Sequence, residues 1–428
     1  MNANAEPDKH SHNPLVRYFR TLGPGLVTGA ADDDPSGVTT YAVAGAPFGT
    51  AMLWTALATL PLMAAIQLTC ARIGLVSGRG LAGAMRRHYP RWFLYAACLL
   101  LVGANVFNIA ADLAGMADAA EMLTGLASGL WVPLFGLVVL AATVYTRYAR
   151  FAAWLKWLTL VLFAYVLSAF LARPDWGAAL RDTLVPRLSL DTASVSTLVG
   201  ILGTTISPYL FFWQASQEVE EERALGRRTM RERQGASPRE LRDARHDVVT
   251  GMAFSNAVMY FIMLATAATL HRAGQSDIET SRQAAEALRP LAGEAASLLF
   301  ALGLVGTGLL AIPILAGSAS YAVAELFAWR SGLDLSLRRA RRFYAVLGGA
   351  ILAGTLLDSL HVGAVRMMFL SAVVNGLLAP PLLVLVMLVG NNRRIMGTHV
   401  NDRWLNVFGW TATAVMTVAM LLFVWTSL

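Results

Sequence analysis

Asp32-Asp33-Asp34-Pro35-Ser36-Gly37 interrupts one apolar stretch of the chain, and Ser207-Pro208-Tyr209 interrupts a second, inside the run 195–215. A helix in hydrocarbon satisfies its backbone polar groups internally, so a break is tolerated only where protein or a water-filled cavity surrounds it. Interrupted segments in corresponding positions of two halves of a sequence point to the substrate site of a transporter. The paired breaks therefore imply a membrane protein that moves a solute.

The composition agrees. Of 428 residues, 56% are apolar and 14% charged, far from the average soluble domain. The apolar residues form runs long enough to cross a ~30 Å hydrocarbon core. The expected spans lie near 20–44, 49–71, 92–117, 130–146, 151–171, 195–217, 247–270, 295–327, 343–358, 365–389 and 406–427. With the N-terminus in the cytoplasm and the C-terminus outside, 27 of the 34 Lys and Arg fall in cytoplasmic segments and 7 in outside ones. That asymmetry is the one the positive-inside rule requires at a cell membrane. The net charge of +7 is thus mostly a topology signal. A nucleic-acid partner would call for a soluble basic module with stacking aromatics, and none is present.

Cys70 and Cys98 read as small buried hydrophobes, with neither a disulfide pattern nor metal spacing. The first twenty residues lack the apolar core and cleavage site of a signal peptide, so the first span is expected to stay. The expected organisation is a cytoplasmic tail, 1–19, and one transporter domain, 20–428. Within it, repeat one covers about 20–171, repeat two about 195–389, and 406–427 is an extra helix. An odd number of spans per half puts the halves in opposite orientation, which is the inverted-repeat arrangement. The longest connection, roughly 218–246, contains Ser237-Pro238-Arg239-Glu240, a capping box with proline at the first helical position. It is expected to open a helix running into the seventh span.

The three aspartates are the sharpest chemical feature. One acid at the centre of a lipid-facing helix costs ~2.5–3.5 kcal/mol on insertion scales, so all three must face water, one another or protein. On a helix they would fan over about 200°, so they share a site only if the chain unwinds there. Asp34, beside the proline, is the expected substrate residue. Asp32 and Asp33 are expected near an aqueous vestibule or in structural hydrogen bonds. At the second break Thr204, Thr205, Ser207 and Tyr209 offer hydroxyls, and Pro208 frees a carbonyl.

The run Gly23-Pro24-Gly25 through Gly37, together with Ile109-Ala110-Ala111-Asp112-Leu113-Ala114 and Ser371 to Pro380, resembles the NRAMP (natural resistance-associated macrophage protein) transporters. The resemblance runs through nearly the whole chain. It implies the LeuT-type inverted-repeat fold, all-α and polytopic, with the first and sixth helices broken. It also implies carriage of divalent metals, commonly Mn²⁺ or Fe²⁺ with protons. By that resemblance Asp34 is a metal ligand, Ala31 and Thr204 offer carbonyls, and Asp112 matches a proton-pathway acid. Asp33 and Gln214 would join Asp112 on an access or coupling path.

Several positions depart from the family pattern. Where the family has Asp-Pro-Gly-Asn, this chain has Asp34, Pro35, Ser36 and Gly37. Where it has Met-Pro-His, this chain has Ser207, Pro208 and Tyr209. A second family histidine appears as Gln214, a glutamate as Gly115 and a glutamine as Ala372. The remaining ligands are hard oxygen donors, led by Asp34 and Ser207. Loss of the sulfur removes a preference for transition metals over Mg²⁺. The smaller residues are expected to open room for a hydrated ion, and Mg²⁺ keeps several waters, as in magnesium-transporting relatives of NRAMP. Mg²⁺ is therefore expected slightly ahead of Mn²⁺, with weak or absent proton coupling. The metal is expected as substrate rather than cofactor, and the oligomeric state is left open, a monomer being possible.

A second class of reading is the same fold carrying a small anion or organic solute. Half-helix N-termini and the hydroxyls of Ser36, Thr39, Thr205 and Ser207 would donate to it, at the cost of Asp34, which repels anions. A sensor ranks below both, because the chain closes at Leu428 without an appended signalling module. An enzyme has no support: the seven histidines show no triad or metal spacing. Gly78-Arg79-Gly80 and Gly303 to Gly308 follow no strand, as a phosphate loop would.

Overall fold

The computed structural model describes residues 23–146, 160–358 and 363–427. The expected tail, 1–19, and the start of the span near 151–171 lie outside the described residues. Among the described residues the regular elements are helices, with no strand.

The first apolar stretch is two helices, α1 (Pro24–Asp32) and α2 (Pro35–Phe48). After them come α3 (Trp54–Ser77), α4 (Arg91–Thr124), α5 (Ser128–Tyr145), α6 (Phe163–Leu171) and the short helix α7 (Trp176–Leu184). The second half again opens on a broken pair, α8 (Thr192–Thr205) and α9 (Pro208–Ala224). It continues with α10 (Pro238–Thr266), α11 (Ala296–Leu326), α12 (Arg341–Leu357), α13 (Ala364–Gly390) and α14 (Arg403–Ser427).

Among the described residues, eight segments are long and apolar enough to cross a membrane. Three expected spans fall short for simple reasons. The first is split into 9 and 14 residues, α12 has 17, and of the span near 151–171 only the part from 160 onward lies among the described residues, including the 9 residues of α6.

Both breaks are built alike. Asp34 and Ser207 leave the helical conformation at ψ 169° and 127°, each followed by proline as the first residue of the next helix. Proline has no N–H to leave orphaned there and its ring fixes the right φ. The capping box at Ser237 forms as expected, with Ser237 accepting from the Glu240 N–H at 3.2 Å and Glu240 accepting from the Ser237 N–H at 2.7 Å. The helix it opens runs unbroken into the seventh span. Cys70 and Cys98 are free and buried.

Packing follows the repeat. The first helix of repeat one lies on the second of repeat two, α1 on α10, and the first helix of repeat two lies on the second of repeat one, α9 on α3. The third helices of the two repeats, α4 and α11, pack together along their length. Exposed Trp92, Tyr145 and Trp404 stand at helix ends on the side read as cytoplasmic, and Trp176 and Trp425 at ends on the other. Such aromatics sit at membrane–water interfaces.

The α1–α10 crossing is unusually close. Gly25 and Gly29 form a Gly-x-x-x-Gly face on α1, and a Cβ on Gly29 would overlap the Gly251 backbone of α10. A Cβ on Gly251 would in turn overlap the Gly25 carbonyl. Small residues of this kind let membrane helices approach backbone to backbone. The N-terminus of α1 is also tied to α10, because the Asp247 carboxylate accepts from the N–H groups of Gly23 (2.8 Å), Gly25 (2.6 Å) and Leu26 (3.0 Å). These are orphan donors of a helix start, and an acid beside them is favoured by the helix dipole.

Gly251→Val should therefore force the two helices apart and cost about 1–3 kcal/mol or more. Thermal unfolding of the purified protein in detergent measures it, and an unchanged midpoint would show that the crossing has spare room.

Candidate functional site

Asp34 is buried and caps α2. One carboxylate oxygen accepts from the Gly37 N–H at 2.7 Å and from the Ser36 hydroxyl at 2.8 Å. The other accepts from the Tyr209 hydroxyl at 3.4 Å. The Tyr209 hydroxyl also lies 2.8 Å from the Ala31 carbonyl oxygen, a group left without a helical partner where α1 ends. Tyr209 thus reaches from the second break onto both sides of the first.

At the second break, proline at 208 cannot donate to Thr204. The Ser207 hydroxyl takes that place, 2.6 Å from the Thr204 carbonyl and 3.0 Å from that of Gly203. This is the bland expectation for a hydroxyl in a membrane helix, bonding to its own backbone. The Tyr209 carbonyl accepts from Ser318 of α11 at 2.8 Å. Asp34, Ala31, Gly37, Thr204, Ser207 and Tyr209 are thereby gathered into one buried cluster.

The room expected at Gly37 is not there. A Cβ on Gly37 would stand 2.8 Å from the Thr204 hydroxyl oxygen and 3.1 Å from the Asp32 carbonyl, so the second broken helix fills the place an asparagine side chain would use. A Cβ on Gly115 would likewise overlap the Met368 sulfur, which accepts from the Thr39 hydroxyl at 3.3 Å. Ala372 lies where α13 meets the backbone of α8 at Gly203.

Asp32 and Asp33 are fully buried rather than at a wet vestibule. Ser255 of α10 holds both, at 2.7 Å and 3.2 Å. The structural-hydrogen-bond reading is the one observed. Asp112 reaches the first break, accepting from the Ser36 N–H at 3.3 Å. Gln214 stands apart, one turn further along α9, where its oxygen accepts from Thr28 at 2.6 Å and its amide donates to Glu218 at 2.8 Å. None of Asp32, Asp33, Asp34 or Asp112 has an ion pair among the described residues.

Ser255, Asp247 and Ser318 escaped the sequence reading. Their partners lie far along the chain, and a serine or aspartate in a long helix carries no local mark of a distant contact.

The family described as "Natural resistance-associated macrophage protein-like" matches residues 25–426. The chain is similar to the divalent metal cation transporter MntH of Klebsiella pneumoniae strain 342, 28% identical over 404 residues, covering 92% of this chain and 91% of the relative. It is also 28% identical over 427 residues to the protein of that name from Deinococcus radiodurans, covering 94% and 89%. Among solved structures it resembles the Eremococcus coleocola manganese transporter in complex with an aromatic bis-isothiourea compound, with TM-score 0.74, 20% identity and coverage of 97% and 88%. Mhp1, a nucleobase-cation-symport-1 family transporter, aligns with TM-score 0.54, 15% identity and coverage of 95% and 93%. The fold is the LeuT-type one, two inverted five-helix repeats with the first helix of each broken.

Tyr209→Phe should leave the Ala31 carbonyl buried and unpaired. The expected loss is about 1–3 kcal/mol of stability, read as a lower unfolding temperature with the fold retained; an unchanged temperature would mean that another group or water serves Ala31.

Proposed function

The chain belongs to the natural resistance-associated macrophage protein family of membrane transporters, and on that premise we propose that it carries a divalent cation across the cell membrane by alternating access. The observation that carries the proposal is the gathering of four buried carboxyl groups at the first break, Asp32, Asp33, Asp34 and Asp112, with no basic side chain paired to them among the described residues. Buried charges of one sign are costly unless paired or ligating a metal. A small anion or organic acid would meet the wrong potential here. The relatives' names, divalent metal cation transporter and manganese transporter, agree with a cation.

Asp34 is the proposed principal ligand, with the carbonyls of Ala31 and Thr204 and the hydroxyls of Ser207 and Tyr209. Gly37 lets the second broken helix close against the first. The two hydroxyl protons now lie on the two carbonyls, so an arriving cation would displace them by rotation of two O–H bonds. Every donor in this set is a hard oxygen, which favours Mg²⁺ slightly over Mn²⁺. The closed packing at Gly37 removes the room for a hydrated ion, so the preference for Mg²⁺ rests on ligand type alone.

Coupling to protons is proposed to be weak or absent. The place of the family's third-helix glutamate is filled by the Met368 sulfur, and the sixth-helix histidines are Tyr209 and Gln214. Asp33, Asp112 and Gln214 are the proposed access path, with Gln214 leading through Glu218 to one face of the membrane. That face is proposed to be the cytoplasm, with the N-terminus inside and the C-terminus outside. Residues 20–428 are proposed to act as one transporter domain.

In proteoliposomes, Asp34→Ala should reduce metal-dependent uptake to the level of empty liposomes. Uptake that survives the change, or that follows an anion without any divalent metal, would overturn the cation reading. With both metals present in equal amounts, Mg²⁺ should compete at least as well as Mn²⁺. An imposed pH gradient should leave the rate unchanged; a gradient-driven rate would restore proton coupling.

A further inference from the structure

On the face read as cytoplasmic, three distant segments meet around an open cavity of about 420 Å³: residues 76–88 after α3, Gln234 and Gly235 before α10, and residues 394–399 before α14. Its lining includes Arg79, Arg87, Arg394, His88 and His399, and no carboxylate. Small-molecule sites occupy roughly this range of volume.

The walls are fixed by bonds that leave these cations unused. The Gly235 N–H donates to the Val76 carbonyl at 2.9 Å. Two other arginines serve as braces: Arg72 donates to the carbonyls of His399 and Val400 at 2.9 and 3.1 Å, and Arg233 to those of Arg227 and Arg228 at 3.1 and 2.8 Å. Arg79, Arg87 and Arg394, by contrast, have no carboxylate within 4.0 Å among the described residues. Glu325, the acid nearest in effect to Arg79, already accepts from the N–H groups of Gly80 and Gly83 at 3.0 and 2.8 Å. Burial, with the neighbouring Arg87 and Arg86, pushes the Arg79 guanidinium below its usual range. That is the mark of a cation among cations.

We propose that this cavity binds a phosphate group. Three guanidinium forks can each take two oxygens of one anion, and a phosphate offers both the oxygens and up to about two negative charges. The residues act through side chains, so Gly78-Arg79-Gly80 needs no strand before it, unlike a phosphate loop. The phosphate can belong to an anionic lipid headgroup or to a soluble phosphate compound. Depth favours the lipid. Exposed Trp92 lies four residues after His88, and exposed Trp404 five after His399, and such residues mark the headgroup layer. Basic pockets between membrane helices on the cytoplasmic side suit anionic headgroups.

The test reads binding rather than uptake, so it stands apart from the cation reading. The full chain in phosphatidylcholine nanodiscs is titrated calorimetrically with inorganic phosphate and with pyrophosphate. In parallel, protein extracted from vesicles containing phosphatidic acid is weighed by native mass spectrometry to count retained lipid. One of the two arms should show a single phosphate bound. Arg79→Gln, Arg87→Gln and Arg394→Gln combined should weaken it by about tenfold or more, and the three Lys replacements should keep most of it. If the triple variant does not fold, Arg87→Gln and Arg394→Gln alone, both at exposed positions, should each weaken binding measurably. Retained lipid identifies a headgroup, and calorimetric heat identifies a soluble phosphate. Binding in neither arm, or binding indifferent to the glutamine changes, overturns the proposal.

Discussion

A chain broken twice inside an apolar protein must still pair every polar group of its backbone. That requirement orders the centre of this molecule. Asp34 serves N–H groups at the start of α2, Tyr209 serves the Ala31 carbonyl where α1 stops, and Ser207 replaces the donor that Pro208 lacks. Asp247 serves three more N–H groups at the other end of α1. Each unpaired group would cost several kcal/mol in such surroundings. The residues proposed to meet the substrate are therefore also the ones that make the breaks tolerable. Structure and function here compete for the same lone pairs.

That competition shapes the proposed chemistry. A hydroxyl can give its proton to a carbonyl or turn a lone pair toward a cation, and the difference is one bond rotation. Tyr209 and Ser207 are such groups, so the cluster can close on itself without substrate and reopen its oxygens with it. Asp32 and Asp33 are held by one serine on α10 and are not among the proposed ligands. Methionine and histidine at the second break would have made a different centre, with a soft donor and a titratable ring.

Much of this was legible from the residues alone. An Asp-Pro and a Ser-Pro in matching apolar runs announce N-cap and first helical residue, and both breaks have that form. The spans followed from hydropathy, and among the described residues eight of them are long and apolar enough to cross a membrane, one of these being the broken pair α8 and α9. Of the remainder, one is divided by its break, one is a 17-residue helix, and one begins outside the described residues. Contacts across the fold were not legible. Ser255 meets Asp32 over 223 positions, and Asp247 meets Gly23 over 224. The volume expected from Gly37 failed for the same reason, because a deletion in one helix says nothing about the hydroxyl waiting on its partner. Thr204 was expected to offer a hydroxyl and a carbonyl to the site, and its hydroxyl also stands where a side chain on Gly37 would begin.

The contact of Gly25 and Gly29 with Gly251 has a mechanical meaning. Where two helices touch through bare backbone, no side chains interlock like teeth, and none must be unmeshed for one rod to swivel on the other. Friction at such a bearing is low, and rotamer freedom is neither gained nor lost as it turns. The half-helix is held at its present angle by bonds at its two ends: the carboxylate of Asp247 at its start, and Tyr209 and Ser255 at the break. A smooth bearing pinned at its tip by Asp247 is a joint that can be loosened at a residue far from the proposed binding cluster.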